Sequence, residues 1–466
     1  MAGHRIRSND PGGRVPAVEG VGSEMVLVAT RGPSNVRRRQ RRLWAVAKRS
    51  PGRRFHALYD RVDGDDVLWE AWERVRRNRG AAGVDRVTLA AGEEYGVERM
   101  LGELVRALRG GTYRPAPVRR RAILKPDGGV RPLGIPTVRD RVAQQAARLV
   151  LEPIFAADFL PVSYGFRPKR SATAALERIR TGFIRGRVWV VDADIRDYFG
   201  QIDHGRLLGL LAERVSDRRV LKLVRLWLEA GVMNEGRVSE TVIGTPQGGV
   251  ISPLLSNVYL HAFDRALVKR GVGELVRYAD DFVVLCRTER EARAALAAVG
   301  EILAGLALEL HPDKTRVVDL REGRQGFDFL GCHFRARVSG RLLERGIRRY
   351  YLHRWPSQRA MKRIRAKVKA RTGSNRSGVK EIGLVIDELN PILRGWGNYF
   401  RTGNAAVKFV QIDRCVAWRL RRLLIRRYGR NLRAGQVDQW TPDWFQTRGL
   451  HRLMGTIRYP GIASPC

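Results

Sequence analysis

The sequence predicts an α+β fold with a largely antiparallel sheet, followed by a more helical C-terminal part. Between residues 55 and 335, short β-prone runs alternate with stretches of helical periodicity. Residues 118–124 and 130–135 flank an Asp127-Gly128 pair, which is typical of a β-hairpin. Residues 341–371 then carry twelve Lys or Arg and one Glu. Such mixed runs with hairpin signals favour antiparallel pairing.

Local patterns place the individual elements along the chain. Leu68, Trp72 and Val75 have helical spacing and are followed by a glycine-containing stop at residues 79–83. An apolar run predicts a buried strand at 188–195, and residues 207–230 have the periodicity of one helix. The other predicted elements are strands at 275–278 and 282–286 and helices at 290–306, 381–400 and 407–428. We interpret the basic, helical part from residue 341 onward as a separate domain that faces nucleic acid.

The N-terminal part divides into a leader and a basic segment. Residues 1–35 are rich in Gly, Pro, Ser and Asn and lack apolar periodicity, so we expect a disordered leader. Residues 36–54 carry nine Lys or Arg and no Asp or Glu, interrupted by Leu43, Trp44 and Val46. Because no acidic residue pairs with these cations, we interpret the segment as a basic helix or arm.

The charge of the whole chain points to a polyanionic partner. Its 466 residues include 87 Lys or Arg and 47 Asp or Glu, which gives a formal net charge of +40 at pH 7. Clustered cations bind phosphate backbones by releasing condensed counterions. The 44% hydrophobic content is enough for sizeable cores, so the chain as a whole is not a basic tail. Codon bias in a GC-rich genome would explain the preference for arginine but not the net charge.

Composition also excludes several classes of protein. No apolar run is long enough to span a membrane, and the N-terminus lacks the apolar core of a secretory signal. The four cysteines form no CxxC pair and the eight histidines no HExxH pair, so zinc and thiol redox sites are not indicated. We therefore expect a cytoplasmic protein with unpaired thiols.

Two short acidic segments accompany apolar strands. Asp280 and Asp281 join two predicted strands, where an Asp-Asp pair could simply be turn chemistry. Asp192 and Asp194 lie near the end of the strand at 188–195, and the period of two places them on one side of it. Carboxylates clustered at neighbouring strand ends repel one another unless cations lie between them, and their hard oxygens suit Mg²⁺. The pattern favours metal-assisted phosphoryl transfer on a nucleic acid.

These segments resemble the catalytic blocks of reverse transcriptases, and more narrowly those of the group II intron reverse transcriptase/maturase family. The blocks read YADD at 278–281, DIRDYF at 194–199 and TPQGGVISP at 245–253. Supporting blocks occur in the family's order, namely NRGAAGVD at 78–85, LKPDGGVRPLGIP at 124–136, SYGFRPKR at 163–170, LHPDKT at 310–315 and FDFLG at 327–331. The resemblance covers the chain from about residue 36 to residue 460.

The resemblance implies a right-hand polymerase fold. Residues 36–110 would contain an N-terminal basic helical extension and the start of the fingers, and residues 111–335 would form fingers and palm with an antiparallel sheet. Residues 341–430 would be an α-helical thumb or maturase domain, and residues 431–466 a short tail similar to a DNA-binding segment. Many relatives append an HNH-type endonuclease with zinc-binding cysteines. Because this chain ends at Cys466 without one, we expect no second-strand cleavage by the protein.

The resemblance also implies the metal-binding residues of the reaction centre. Asp194, Asp280 and Asp281 are expected to be catalytic and to hold two Mg²⁺ ions, with Mn²⁺ as a substitute. The backbone carbonyl of Ile195 is expected to be a further ligand. Asp192 has no assigned role and can be structural.

Four residues are expected to bind the incoming nucleotide. Phe199 matches the aromatic residue under the sugar, where a ring would clash with a 2′-hydroxyl and favour deoxynucleotides. Gln247 matches the loop that lies against the nascent base pair. Lys125 and Arg131 match the cations that hold the triphosphate. Asp197 takes a position that is often glycine in the family, and its carboxylate could still lie near the triphosphate or the metal.

The segment LNPILRGWGNYF at 389–400 resembles the signature of the maturase domain. On its own pattern, Trp396, Tyr399 and Phe400 would be helix core, and basic residues can occupy another face of the same helices. We expect the basic faces to bind a primer–template duplex and structured intron RNA, where shape and 2′-hydroxyls matter. The candidate RNA-binding residues are Arg359, Lys362, Arg363, Arg365, Lys367, Lys369, Arg394 and Arg422.

The expected function is an RNA-directed DNA polymerase that copies intron RNA into cDNA and assists splicing and mobility of a group II intron. The expected partners are the intron RNA, an RNA template with a DNA primer, deoxynucleoside triphosphates and target DNA, in a bacterial cytoplasmic ribonucleoprotein; a homodimer is left open. Two alternatives remain. One is a maturase that binds its RNA without polymerising, which the intact set of aspartates disfavours. The other is a related reverse transcriptase recruited to DNA repair or phage defence.

Overall fold

A computed structural model describes residues 33–124, 130–234, 237–239, 244, 248–373 and 381–459. The chain has a mixed α/β structure with a helical C-terminal region, as the sequence predicted. Between the strands of its described part, every pairing is antiparallel except a short parallel contact near residues 118 and 232. The hairpin predicted around Asp127-Gly128 is confirmed by the pairing of Leu124 with Val130, although the turn itself lies outside the described residues.

The strands form three small sheets. Their spatial orders are β2-β1-β4-β5, β6-β7-β3-β8 and β11-β10-β9. We call the second of these the central sheet. The strands are β1 (Val118–Leu124), β2 (Val130–Ile135), β3 (Trp189–Ala193), β4 (Val232–Asn234), β5 (Arg237–Ser239), β6 (Glu274–Tyr278), β7 (Asp281–Cys286), β8 (Arg316–Asp319), β9 (Gly326–Phe329), β10 (Cys332–Val338) and β11 (Tyr350–Pro356).

The helices surround these sheets. No helix in the part of the chain that the structure describes is long and apolar enough to cross a membrane. The helices are α1 (Pro33–Arg49), α2 (Tyr59–Val62), α3 (Asp65–Arg77), α4 (Leu89–Glu94), α5 (Val97–Arg109), α6 (Val138–Asp158), α7 (Ala172–Ile184), α8 (His204–Ala212), α9 (Arg218–Glu229), α10 (Ser252–Arg270), α11 (Glu289–Gly305), α12 (Gly340–Leu343), α13 (Gln358–Arg371), α14 (Ile382–Phe400), α15 (Ala406–Tyr428), α16 (Gln436–Gln439) and α17 (Pro442–Thr447).

The basic N-terminal segment is a helix that packs on the body of the protein. In α1, Val36, Leu43 and Ala47 are buried against α6, while the arginines of the opposite face are exposed. Helix α6 is buried on nearly all sides, and its buried residues include the polar Asp140, Arg141, Gln144 and Gln145 beside apolar ones. The prediction of a basic helix is therefore confirmed as far as Arg49.

The central sheet lies between two hydrophobic cores. Val191 and Ala193 of β3 face the first core, which contains the N-terminal helices and α8–α11. Val190 faces the second core, which contains α7, β9–β11 and the C-terminal helices. Because side chains alternate along a strand, Asp192 and then Asp194 follow on the side of Val190. The alternation predicted for the two aspartates is thus confirmed.

Two predicted elements are wrong in detail. Residues 207–230 form two helices instead of one, because Asp217 caps α9 by accepting hydrogen bonds from the backbone of Arg219 and Val220. The same carboxylate also accepts hydrogen bonds from the backbone N–H groups of Leu58 and Tyr59, at 2.9 and 2.8 Å. The chain therefore bends at Asp217 to hold the N-terminal segment.

The basic region after residue 341 is not entirely helical. Residues 350–356 form β11, which pairs with β10 along its whole length. Its buried positions alternate with partly exposed ones, a pattern that the basic composition of residues 341–371 conceals in the sequence. Helices α13–α15 share the second core with Val190 of the central sheet. The C-terminal helices are therefore joined to the sheet by one continuous core.

Candidate active site

Asp280 and Asp281 lie at a tight hairpin of the central sheet. Tyr278 of β6 pairs with Asp281 of β7, so the loop between the strands consists of only Ala279 and Asp280. Ala279 adopts a left-handed φ of 58°, which a two-residue hairpin turn requires at its first position. The turn holds both carboxylates at the end of the sheet.

Asp194 reaches the same place from the neighbouring strand. Ala193 of β3 pairs with Phe282 of β7, so the next step of this antiparallel register places Asp194 opposite Asp281. The carbonyl of Asp194 accepts a hydrogen bond of 2.8 Å from the N–H of His311. Ile195 forms an isolated antiparallel bridge with Leu310. The residues on either side of Ile195 make the hydrogen bonds of this bridge, so the carbonyl of Ile195 itself points away from Leu310. The structure thus brings together the predicted aspartates and the predicted backbone ligand.

The carboxylates of this cluster repel one another. Loss of hydration, and then the negative charges of Asp280, Asp194 and Asp192, raise the pKa of Asp281 to about 7. Its side chain still reaches solvent, so the cluster is not sealed inside the protein. Burial also raises the pKa of Asp192 to about 6, although Arg316 lowers it. The site therefore favours the approach of positive charge.

Two cations that sequence reasoning did not single out contact the cluster. The ammonium group of Lys314 lies 2.8 Å from Asp194 Oδ2, and Arg316 Nε lies 3.2 Å from Asp192 Oδ2. Lys314 belongs to the LHPDKT block, which is part of the family resemblance, but no role was assigned to this lysine. Its place in a block that accompanies the catalytic aspartates was the sequence signal that could have identified it. Arg316 is thus the cation that accompanies Asp192, whose role stays a prediction.

The residues fit a divalent cation by their chemistry. In the described ranges, no three His, Cys, Asp or Glu side chains converge into a ready-made metal site. The donors are nevertheless carboxylate and carbonyl oxygens, the ligands that Mg²⁺ and Mn²⁺ prefer. Their mutual repulsion at Asp281 is the condition that a bound cation would relieve.

A buried arginine lies directly behind the hairpin. Arg277 of β6 is inaccessible to solvent and forms a two-pronged ion pair with Asp264 of α10, at 2.7 and 2.6 Å. It also donates hydrogen bonds to the carbonyl of Ala279, to Asn257 Oδ1 and to Ser163 Oγ. Sequence reasoning missed this residue, because an arginine beside YADD in a basic chain resembles a surface cation. Its position between the buried Val276 and the turn was the only local signal.

The residues predicted to bind the nucleotide are described only in part. Phe199 lies in a 3₁₀ turn, half-buried against the first core, with its ring 5.2 Å from that of Tyr198. Lys125 and Gln247 lie outside the described residues, and Arg131 lies in β2 opposite Ile123. Their nucleotide contacts therefore stay predictions.

Asp197 has a backbone conformation that explains the glycine often found at its position. Its φ is 36° and its ψ is 50°, in the left-handed region that glycine enters most easily. Asp is one of the few other residues that tolerate this region. Its side chain is exposed and folds over Gly200, where a Cβ atom would lie 2.2 Å from Asp197 Oδ2. The position is therefore explained by the turn.

The candidate RNA-binding residues lie on exposed helix faces. Helix α13 buries Met361, Ile364 and Val368, which leaves its cations toward solvent. Arg394 of α14 is also exposed, and Arg422 of α15 lies over the ring of the exposed Trp418. The candidate residues of α13 are all exposed, namely Arg359, Lys362, Arg363, Arg365, Lys367 and Lys369.

A basic groove of about 700 Å³ runs between α13, α15 and the sheet of β9–β11. Lys362 and Arg365 of α13 and Lys408 of α15 line it, together with Arg335 of β10. Arg316, which contacts Asp192, lies at the same groove. The groove therefore connects the helical cations with the edge of the carboxylate cluster.

The aromatic residues of the 389–400 segment form core, as their spacing predicted. The ring of Trp396 lies 5.0 Å from that of Phe400 and 5.4 Å from that of Phe409. Tyr399 donates a hydrogen bond of 2.8 Å to the carbonyl of Leu330, in the FDFLG turn. The segment therefore connects the C-terminal helices to the turn between β9 and β10 through this hydrogen bond.

Comparison with protein families matches two successive regions of the chain. Residues 123–334 match the model "Reverse transcriptase (RNA-dependent DNA polymerase)". Residues 361–440 match the model "Group II intron, maturase-specific domain". The first region contains the carboxylate cluster, and the second contains most of the basic helical surface.

Three relatives support the same assignment. Protein YkfC of Escherichia coli is 34% identical over 336 residues, which are 63% of this chain and 86% of that protein. The group II intron-encoded protein LtrA of Lactococcus lactis subsp. cremoris is 38% identical over 216 residues, 46% of this chain and 36% of that protein. A 91 kDa protein in the cob intron of Schizosaccharomyces pombe is 39% identical over 165 residues, 35% of this chain and 20% of that protein. The chain thus matches most of one relative and about a third or less of the other two.

The two domain models occur in one chain, in the order that the ordered sequence blocks indicated. The match to most of a 34% identical relative extends this agreement beyond the individual motifs. The chain therefore belongs to the group II intron reverse transcriptase/maturase family.

Proposed function

We propose that the protein is an RNA-directed DNA polymerase that copies intron RNA into cDNA and also acts as a maturase in splicing and mobility of a group II intron. The observation that carries this proposal is the placement of Asp194 opposite Asp281, beside Asp280, within the region that matches reverse transcriptases. On this proposal the sheet of β1 and β2 belongs to the fingers, the central sheet is the palm, and α13–α15 form the thumb or maturase domain.

The three aspartates would perform the phosphoryl transfer by holding divalent ions. Asp194, Asp280, Asp281 and the carbonyl of Ile195 would bind two Mg²⁺ ions, or Mn²⁺ in their place. When bound, such ions supply activation of a 3′-hydroxyl and neutralisation of the pyrophosphate charge. Lys314 would contribute a further positive charge, because its ammonium group already contacts Asp194.

The predicted nucleotide contacts complete this proposal. Phe199 would lie under the incoming sugar, Gln247 against the nascent base pair, and Lys125 and Arg131 at the triphosphate. The half-buried position of Phe199 in a 3₁₀ turn, four residues from Ile195, supports its assignment.

The basic surfaces would bind nucleic acid. The exposed cations of α13 and the groove beside them would contact the backbone of a primer–template duplex and of intron RNA. Structured RNA presents closely spaced phosphates, to which clusters of Lys and Arg are complementary. The expected partners are therefore the intron RNA, an RNA template with a DNA primer, deoxynucleoside triphosphates and target DNA.

Primer extension tests the proposed reaction directly. The purified protein is supplied with poly(rA) annealed to oligo(dT), thymidine triphosphate and Mg²⁺. The wild-type protein should extend the primer, whereas Asp280→Ala should not, while both bind the duplex with similar affinity. Binding without extension by the wild-type protein would instead support a maturase that does not polymerise. Extension by Asp280→Ala would contradict the assignment of the aspartates.

A further inference from the structure

A large aromatic side chain stands exposed beside the candidate catalytic hairpin. Phe166 follows Gly165 in the loop before α7, and its side chain is 50% exposed. Its backbone φ is 53°, in the left-handed region. A bulky residue is rare there, because its Cβ atom approaches its own backbone. The proposed function gives this residue no role.

The strained backbone of Phe166 is not compensated by burial of its ring, which is unusual for a residue with a purely structural role. A ring in the core would compensate for backbone strain by burial, but half of this ring stays in water. Glycine or asparagine would take the same conformation with less strain. Strained residues persist when the surrounding structure fixes them, and they cluster at functional sites.

The surrounding structure does fix this loop. Arg167 donates hydrogen bonds to the carbonyls of Phe159, Leu160 and Ser163, at 3.0, 2.6 and 2.8 Å. Its guanidinium also lies over the ring of Phe159, 5.2 Å from the centroid. The residue after Phe166 is therefore tied to the protein body through three backbone groups, so the loop presents Phe166 at a defined position.

The loop is fixed to the catalytic turn as well. A Cβ atom on Gly165 would lie 2.4 Å from the backbone nitrogen of Ala279, so only glycine permits this approach. Asn257 donates a hydrogen bond of 2.9 Å to the Gly165 carbonyl, and it also accepts one from Arg277. Phe166 and the turn that carries Asp280 therefore form one rigid unit.

Phe166 shares its exposed surface with the hairpin. The centroid of its ring lies 6.4 Å from that of Tyr278, which pairs with Asp281. Lys169 and Arg170, in the same loop, are exposed. The combination of an exposed aromatic platform and flanking cations is complementary to stacked or edge-on bases with their phosphates.

We propose that Phe166 is a nucleic-acid contact that packs, with Tyr278, against the base and sugar edges at the end of the primer–template duplex. Through the rigid connection from Gly165 to Ala279, this contact positions the duplex end beside Asp280 and Asp281. Lys169 and Arg170 hold the adjacent phosphates. The inference rests on the proposed function for the identity of the duplex, but the contact can be measured without any reaction.

Three substitutions distinguish the effect of the aromatic ring from the effect of the strained backbone. Phe166→Gly removes the ring and relieves the strain, Phe166→Ala removes the ring but keeps a Cβ atom, and Phe166→Tyr keeps an aromatic ring. The matched control is Ile184→Ala, because Ile184 is also an exposed apolar side chain, 64% accessible, at the other end of α7. Each full-length variant is compared with the wild-type protein by thermal unfolding and by fluorescence anisotropy with a labelled DNA primer annealed to RNA, without nucleotides.

The expected result is a loss of affinity without a loss of stability. Phe166→Gly should unfold at the same or a higher temperature than the wild type, yet its dissociation constant should rise about tenfold, the loss expected for one aromatic contact with a base. Phe166→Ala should lose affinity to a similar degree. Phe166→Tyr and Ile184→Ala should bind like the wild type.

The outcomes separate this inference from the proposed function. Wild-type affinity in both Phe166→Gly and Phe166→Ala would overturn the contact. A wild-type protein that does not bind the duplex would overturn it too. A wild-type protein that binds the duplex without extending the primer would contradict the proposed polymerisation, while the effect of Phe166→Gly on the dissociation constant would still decide the contact.

Discussion

The guanidinium of Arg277 donates a hydrogen bond of 2.8 Å to the backbone carbonyl of Ala279, inside the turn that carries Asp280. The same guanidinium forms an ion pair with Asp264, and solvent reaches neither side chain. The candidate catalytic turn is therefore supported by a buried charge pair between the central sheet and α10. The order of the site depends on this pair remaining intact.

Removal of Arg277 should destabilise the whole protein. Arg277→Met leaves the carboxylate of Asp264 buried without a partner, which should lower the free energy of unfolding by about 3–5 kcal/mol. Urea denaturation measures this loss. Arg277→Met/Asp264→Leu should recover part of it, because neither charge remains. Arg293→Met, which breaks the exposed pair of Arg293 with Glu289, should cost less than about 1 kcal/mol. An equally small loss for Arg277→Met would contradict the role of the buried pair.

His261 should make the stability depend on pH. Burial lowers the pKa of His261 to about 4, from about 6.5 in an unfolded chain. Between these values the unfolded chain binds a proton at this histidine more readily than the folded one, so the contribution of His261 to stability is lost on acidification. The raised pKa values of Asp281 and Asp192 act in the opposite direction in both proteins. The unfolding temperature of His261→Phe should therefore rise relative to that of the wild type from pH 7 to pH 5. His56→Gln, at an exposed histidine, should keep the wild-type response. Identical pH profiles for all three proteins would contradict the prediction.

Replacement of Phe199 should relax the choice of sugar. If its ring occupies the space of a 2′-hydroxyl, Phe199→Val should raise the incorporation of ribonucleotides relative to deoxynucleotides. We expect a change of about ten- to a hundredfold, the range for one small group at a packed site. Steady-state incorporation of UTP and of thymidine triphosphate on poly(rA) gives this ratio. Tyr198→Phe is the control, because Tyr198 is the residue next to Phe199 and its ring contacts that of Phe199, but its side chain is buried. An unchanged ratio would remove Phe199 from the nucleotide site.

The cations of α13 should set the salt dependence of RNA binding. Lys362→Gln/Arg365→Gln removes two charges from the basic groove and should reduce the slope of log affinity against log salt by about one for each phosphate that is no longer neutralised. Filter binding of intron RNA at several salt concentrations measures the slope. Arg290→Gln/Arg293→Gln on α11 makes the same change in net charge on another exposed helix. Equal slopes for both double variants would place the RNA elsewhere.

The sequence was most informative where the signal is local. The position of Asp194 beside Asp281 follows from two strands and one turn, each encoded by a few adjacent residues with a period of two. The segment 350–356 was predicted incorrectly as helical, because a count of basic residues hides the alternation of Leu352 and Arg354 on its buried side. A local excess of basic residues indicates binding to a polyanion, but it does not determine whether the backbone forms a helix or a strand.

Contacts between distant segments could not be predicted in the same way. Lys314 and Asp194 are 120 residues apart, and their 2.8 Å contact depends on how β8 and β3 align. Arg277 and Asp264 lie on different elements, and burial of both charges is decided by the packing of α10 on β6. A single sequence shows each of these residues as an ordinary charge. Only the fold shows which charges meet.

The central claim is that Asp194 takes part in the reaction, and single-nucleotide incorporation tests it most directly. Asp194→Asn keeps the shape of the side chain but removes its charge, so incorporation on an RNA template should fall by at least about a hundredfold while duplex binding is retained. Asp313→Asn makes the same change at an aspartate that is 88% exposed beside Lys314, and it should react like the wild type. Incorporation by Asp194→Asn at a rate close to that of the wild type would contradict the account.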